Sequence, residues 1–442
     1  MERDEILRIL LDWNYWGDYE DESIERGGYI KELNRLLKTG EIVVIKGVRR
    51  SGKSTLILQF VKKLVEEGLK EENTLVVNFE DPRFKNLGLE LLDKIYETYK
   101  DELQVEDEHL VVLDEVQEIE GWEKFARYLQ EAKRGQVLIT GSSSKLLSEE
   151  YSTLLAGRHV DMEIFPLSFM EFLEFKGVSI ESELDIIRYR HKIRKFLREY
   201  IEFGGFPKVT LIEEGKEDLL ANYFRDIVIK DVQMRFRVRE TGKLEELAKY
   251  YLTNISTLQS FNSVRKALNL SLDTVERFSR YFSIARLLFF VPKFSFSLKA
   301  QVLNPKKVYC IDSGLRNIVS FKFTEDLGRI AENIVFLELF RRGKEVYYWR
   351  DRAGREVDFV VKEGLKVREL VQVCWKVEGE EKTRRREIVA LVKAMDELKL
   401  KEGLIITGDK EGRENVNGKW VTYKPLWKWL FCDKEILPRE KK

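Results

Sequence analysis

The stretch Gly47-Val48-Arg49-Arg50-Ser51-Gly52-Lys53-Ser54 reads G-x-x-x-x-G-K-S. An apolar run of strand length, 41–46, precedes it, and the start of a helix, 54–60, follows it. In that strand-to-helix setting the pattern is a phosphate-binding loop. Its glycines let backbone N–H groups turn inward around an anion with no side chain in the way. The helix start adds free N–H groups and the positive end of its dipole. The expected nucleotide-binding residues are therefore Gly47, Val48, Arg49, Arg50, Ser51, Gly52, Lys53, Ser54 and Thr55. Lys53 would reach the β- and γ-phosphates of ATP, and Ser54 would hold Mg²⁺.

A second group of residues completes that chemistry. Leu110-Val-Val-Leu-Asp114-Glu115 is a buried strand from which two carboxylates emerge at the C-terminal end. Ligands of open α/β sheets bind at that edge. Asp114 would hold the Mg²⁺ shell, and Glu115 would orient and deprotonate the attacking water. The next strand ends in Thr140-Gly-Ser142-Ser-Ser144. Strand alternation puts Thr140 and Ser142 on one face, beside the γ-phosphate, where they would sense hydrolysis. The same serines would equally serve as N-caps of the following helix. Arg158 is a candidate for stabilising transition-state charge, in cis or from a neighbouring subunit. Its alternative is a surface ion pair.

These residues need a scaffold. Residues 41–165 alternate strands (41–46, 74–79, 109–114, 136–140, 161–165) with helices, the pattern of a parallel sheet covered on both faces. The helix after the loop buries Leu56, Ile57, Phe60 and Leu64, and Gly68 marks its end. Ahead of the sheet, Ile6, Leu7, Leu10 and Leu11 have helical spacing and lead to Trp13, Tyr15 and Trp16. Those rings either pack on the domain or approach a nucleotide base; packing is the reading adopted, since aromatics mostly serve cores.

Five stretches in order, GVRRSGKS, VVNFEDPRF, LVVLDEVQEIEGWEKFARYL, LITGSSSKLLS and LLAGRHVDMEIFPLSFMEF, make residues 25–175 resemble a prokaryotic, mostly archaeal, family of AAA-like P-loop ATPases. The resemblance implies an extra strand between the two motif-bearing strands and a sensor role for the serine-rich segment. It also implies a C-terminal domain of uncharacterised function.

Residues 176–240 read as a helical lid or linker, broken at Gly204-Gly-Phe-Pro207. Residues 241–300 suggest a winged helix: helices at 244–255 and 263–268, a third capped by Ser271, then strands at 287–291 and 294–298 around Pro292-Lys293. A last helix of this kind enters the DNA major groove. Thr274, Arg277, Arg280 and Lys293 are its candidate contacts, although the fold also serves protein recognition.

Residues 301–442 form a small α/β domain that resembles the PD-(D/E)xK nuclease core. Glu332 on a helix, Asp358 on a strand and Gln372-Val-Cys374 at the E-x-K position carry the likeness. Glu332, Asp358 and Gln372 would be a second metal site. Cys374 cannot supply the lysine's charge, and Lys376, two residues on, is the substitute considered. The domain is read as a degraded nuclease fold used for binding.

Composition limits the alternatives. Lys+Arg and Asp+Glu both number 77, so any basic footprint must be local. The charged fraction of 35%, against about 25% on average, suits ion-pair networks and a hot environment. Three histidines exclude a His-rich metal site, and three widely spaced cysteines make no metal pair or disulfide framework. No apolar run would span a bilayer, and the charged N-terminus has no signal-peptide stretch, so a cytoplasmic protein is expected. The overall expectation is an α/β P-loop sheet (1–175), a helical linker (176–240), a winged helix (241–300) and a nuclease-like α/β domain (301–442). Its function would be Mg²⁺-dependent ATP hydrolysis coupled to DNA binding or remodelling, with homo-oligomers conceivable. The alternatives are a nucleotide-gated protein-interaction switch and an ATP-regulated metal nuclease.

Overall fold

The computed structural model describes residues 1–17, 19, 23–105, 109–132, 134–141, 155, 157–320, 326–376 and 381–431, the side chains of 381–383 aside. Two compact units emerge, Met1–Phe165 and Pro166–Lys442.

In the first unit β1 (Ile42–Gly47), β2 (Thr74–Asn78), β3 (Leu110–Asp114), β4 (Gln136–Thr140) and β5 (His159–Ile164) form one sheet in the order β2-β3-β4-β1-β5. Every pairing is parallel. β4 lies between β1 and β3, where the resemblance called for an extra strand. Alternation builds two cores from one set of strands. Ile42, Val44, Val111 and Ile139 face α1 (Arg3–Leu11), α4 (Leu89–Leu103) and α5 (Trp122–Glu131). Val43, Ile45, Val112 and Leu138 face α2 (Gly27–Leu37) and α3 (Lys53–Glu66). With both faces covered, the functional groups collect at the strand ends.

The Trp13–Trp16 cluster packs on this unit. Trp13 donates to Asp81 (2.9 Å), Trp16 to the Thr74 carbonyl (2.7 Å) and Tyr15 to the Leu58 carbonyl (3.0 Å).

The second unit opens with helices, among them Arg190–Phe203 and Lys216–Asp226, with the expected break at Gly204 (φ 75°). Helices Thr241–Thr253, Phe261–Leu268 and Leu272–Ile284 follow, with β6 (Leu258–Gln259) between the first two. β7 (Leu288–Val291) and β8 (Lys306–Cys310) complete an antiparallel sheet in the order β6-β8-β7. The strand expected at 294–298 is not one. Phe294 turns instead to bond the Tyr348 carbonyl (2.7 Å), and Leu298–Leu303 is a short helix. The apolar spacing read there as strand serves ring packing, with Phe294 5.7 Å from Tyr347.

Last comes the Leu327–Arg341 helix, then β9 (Glu345–Arg350), β10 (Glu356–Glu363), β11 (Lys366–Cys374), the Glu381–Glu397 helix, and β12 (Glu402–Thr407), β13 (Gly412–Val416) and β14 (Lys419–Pro425). Their sheet order is β13-β14-β12-β11-β10-β9. Among the described residues no helix is long and apolar enough to cross a membrane.

Candidate functional site

β1 ends at Gly47, and the loop turns at once because nothing larger fits: a Cβ there would stand 2.4 Å from the Ile164 carbonyl oxygen. Arg50 (φ 69°) and Gly52 (φ 92°) take left-handed conformations that fold the loop back on itself. α3 then starts at Lys53 with no side chain capping it, which leaves its first N–H groups for an external acceptor. Lys53 is buried and donates to the loop's own carbonyls, Gly47 (3.2 Å) and Val48 (3.4 Å). The Ser51 hydroxyl is buried without a partner. Arg49 pairs with Glu80 at 3.4 Å.

Parallel pairing brings the acids to the same edge. Asp114 ends β3 and is bonded to the Ser54 hydroxyl that follows the loop. Thr140, at the end of β4, ties the acids together. Its hydroxyl donates to Asp114 and accepts the backbone N–H of Glu115 at 3.2 Å. Burial, then the neighbouring charge of Glu115, pushes the Asp114 carboxyl up to about 6. A buried carboxylate so disfavoured fits a site built to receive a cation. Glu115 is held in a left-handed turn (φ 52°), its carboxylate bonded by Gln117.

The uncapped helix start, the crowded glycine and the acid pair suit a nucleoside triphosphate with its metal: backbone N–H groups and Lys53 for phosphates, Ser54 and Asp114 for Mg²⁺. Thr140 therefore bonds to the acids, while Ser142 lies outside the described residues.

Two residues of this site were not anticipated. Gln117 had a signal, since it stands two places beyond the acid pair. Arg26 had none. Its buried guanidinium bonds the Ser51 carbonyl (3.0 Å) and the Phe165 carbonyl (3.1 Å) and lies over the Tyr29 ring, so it clamps the loop from behind.

Arg158 is placed elsewhere. It precedes β5, whose His159 pairs with Ile42 while Ile164 pairs with Gly47. At about 3.3 Å per residue it is ~20 Å from its own loop, at the opposite edge of the sheet. There it pairs with Glu131 at 2.8 Å, which rules out a role in cis.

The second metal site is also corrected. Lys307, on β8, fills it: its ammonium lies 3.0 Å from Glu332, 2.7 Å from Asp358 and 2.8 Å from Glu356. Gln372 accepts the Asp358 N–H (3.0 Å) and donates to Glu387 (2.7 Å). β11 ends at Cys374, and Lys376 is exposed beyond it. Among the described residues no group of three or more His, Cys, Asp or Glu is arranged to hold a metal.

Of the DNA-contact candidates, Thr274 is buried, its hydroxyl bonded to the Ser271 cap. Arg277 pairs with Asp273 at 3.4 Å, Arg280 is exposed, and the Lys293 backbone bridges to Tyr348.

Residues 39–173 match a family described as an AAA domain. Residues 194–326 and 327–428 match two further families, each described as a domain of unknown function. The chain is 34% identical to the uncharacterised protein MJ1544 of Methanocaldococcus jannaschii, covering 92% of this chain and 93% of that protein. It is 31% identical to an uncharacterised protein of Haemophilus influenzae, covering 91% and 98% respectively. Among solved structures, the Walker-type ATPase PABY2304 of Pyrococcus abyssi aligns with a TM-score of 0.41 at 13% identity, covering 67% of this chain and 96% of that one. The chain therefore belongs to the family of MJ1544 and the Haemophilus influenzae protein, and its residues 39–173, with the phosphate loop and the five-stranded parallel sheet, are an AAA-like P-loop domain.

Proposed function

We propose that the chain binds ATP with Mg²⁺ at the C-terminal edge of the β1–β5 sheet and hydrolyses it, and that turnover governs contact with DNA. One observation carries the first half: Thr140 bonds both Asp114 and the Glu115 N–H, beside Ser54 and the phosphate loop. Bound Mg²⁺ would neutralise phosphate charge as it develops. The loop N–H groups and Lys53 hold the phosphates, and Lys53 exchanges its present carbonyl partners for them. Glu115 accepts the proton of the attacking water once it parts from Gln117. Thr140 keeps the two acids in register, so that metal placement and water placement are fixed together. Arg158 would stabilise transition-state charge on a neighbouring copy's nucleotide.

For the second half, the helix–strand–helix–helix–strand–helix–strand order of 241–310, with β6, β8 and β7 in one antiparallel sheet, supports a winged helix whose last two strands are joined by the short Leu298–Leu303 helix. The helix–β9–β10–β11–helix–β12 order supports a nuclease-like core in which Lys307 stands where a metal would be. That makes binding, not cleavage, the role of this core. ATP hydrolysis by the full chain, measured alone and with duplex, single-stranded and branched DNA, tests both halves. No uptake of ATP with Mg²⁺ removes the first, and no binding to any DNA removes the second.

A further inference from the structure

A cleft of about 690 Å³ in the second unit has the exposed face of the Leu272–Ile284 helix on one wall and the start of β9 on the other. Its floor is aromatic, with Phe289 5.1 Å from Phe340 and 5.4 Å from Phe336 between ring centroids. Its rim carries Arg280, Arg286, Lys306 and Lys344 against Glu276 and Glu345. Glu345 is neutralised by Lys362 at 2.9 Å, and Lys344 by Glu363 at 2.6 Å. Counted together, the rim holds four cations against two acids.

The rings do not stop at the cleft. Tyr347 lines it, Phe294 lies 5.7 Å from Tyr347, and Phe296 lies 5.4 Å beyond Phe294. Phe296 is 91% exposed, so it contributes nothing to a core. An ammonium group accompanies the rings: Lys306 lies 5.7 Å over Phe261. Lys293 and Lys299 flank Phe296 in the same segment.

We propose that this cleft and its outward line of rings bind a single strand of nucleic acid, with bases against the rings and phosphates against the cations. Rings interleaved with cations are what such a strand requires, because every base has a face to stack and every link a charge. A duplex keeps its base faces within its own stack. A free mononucleotide would use the cleft and leave Phe294 and Phe296 idle. An acidic peptide would satisfy the cations and leave the rings without a flat partner. The inference rests on the reading that the second unit meets nucleic acid, and it is independent of ATP hydrolysis.

The test is fluorescence anisotropy of a labelled oligothymidylate of about 20 nucleotides, long enough for a strand-binding groove, with the full chain and no nucleotide. The expected result is binding that weakens with salt and exceeds binding to a duplex of the same length. Phe296→Ala should weaken it about tenfold, the scale of one lost stacking contact. Because that ring is exposed, the variant should melt as the parent does. Arg280→Glu with Lys306→Glu should abolish binding, and Lys53→Ala should leave it unchanged. No binding, equal binding in Phe296→Ala and the charge-reversed variant, preference for the duplex, or equal displacement by polyglutamate would each overturn the proposal. Oligonucleotide binding that behaves as expected in a protein that never hydrolyses ATP would overturn only the ATPase reading.

Discussion

The Lys307 ammonium lies 2.7 Å from the carboxylate of Asp358, a residue expected from the sequence to bind a metal ion. The lysine side chain is 2% exposed, and Glu332 and Glu356 also reach it within 3.0 Å. Burial pulls its pKa down, but Asp358 and Glu332 outweigh that and hold it well above the ordinary lysine value. Burial and the Asp358 charge push Glu332 up to about 8. Removing one partner of a buried ion cluster typically costs ~3–5 kcal/mol, because the other charges stay buried unpaired. Lys307→Met should therefore lower the unfolding free energy by about that amount. Chemical denaturation of the variant and the parent at pH 7 measures the difference. A variant as stable as the parent would show that the lysine does not hold the three acids together.

The roles proposed for Lys53 and Glu115 fall at different stages, so their substitutions should separate. Lys53→Ala removes the cation that reaches the phosphates, and uptake of a fluorescent ATP analogue should be lost. Glu115→Gln leaves the phosphate cradle intact and removes the base. It should still take up the analogue, while phosphate release falls ~10²–10⁴-fold. Loss of uptake in both variants would mean that Glu115 shapes the loop and not the chemistry.

Asp114 offers a readout that needs no nucleotide. Its carboxyl is pushed up to about 6 from an ordinary 3.8, burial being the largest cause. At pH 7 the ionised form therefore destabilises the empty protein by about 3 kcal/mol, at ~1.4 kcal/mol for each pH step of the gap. An amide carries no such charge and can still accept the Thr140 hydroxyl. Asp114→Asn should raise the melting temperature of the nucleotide-free protein while abolishing hydrolysis, the usual trade at a functional site. A lower melting temperature would contradict the assignment.

What could be read from letters was what has one physical cause. The phosphate loop, its two acids and five alternating strands each follow from local spacing, and β1–β5 fall within two residues of their expected bounds. Arg26 and Lys307 could not be read this way. Each is a cation whose side-chain hydrogen bonds described above reach residues 25 to 139 places away, and only the fold brings them together. The cis role weighed for Arg158 failed for a related reason. Its place depends on which end of β5 it precedes, and the parallel register with β1 settles that. The strand expected at 294–298 failed because ring packing and strand burial leave the same apolar spacing.

Asp312 links the second unit's stability to pH. It is buried where Gly204 breaks the Arg190–Phe203 helix, and it accepts N–H groups from Gly205 (2.7 Å), Gly314 (2.9 Å) and Leu315 (3.3 Å). Burial pushes its carboxyl from an ordinary 3.8 up to about 7, although those three N–H bonds pull the other way. The folded chain thus keeps a proton that the unfolded chain releases between about pH 4 and pH 7. Stability from this group is greatest at the acid end of that window and falls as pH rises, by up to about 4 kcal/mol, then stays level above it. Asp312→Asn cannot titrate. It also turns an amide donor toward one of the N–H groups, which costs ~1–3 kcal/mol for an unmade buried bond. Urea unfolding at pH 5 and pH 8 should show the variant weaker than the parent at pH 5 and the gap narrowing or reversing at pH 8. The same gap at both values would mean that Asp312 is ionised throughout and that its N–H partners, not its burial, set its charge.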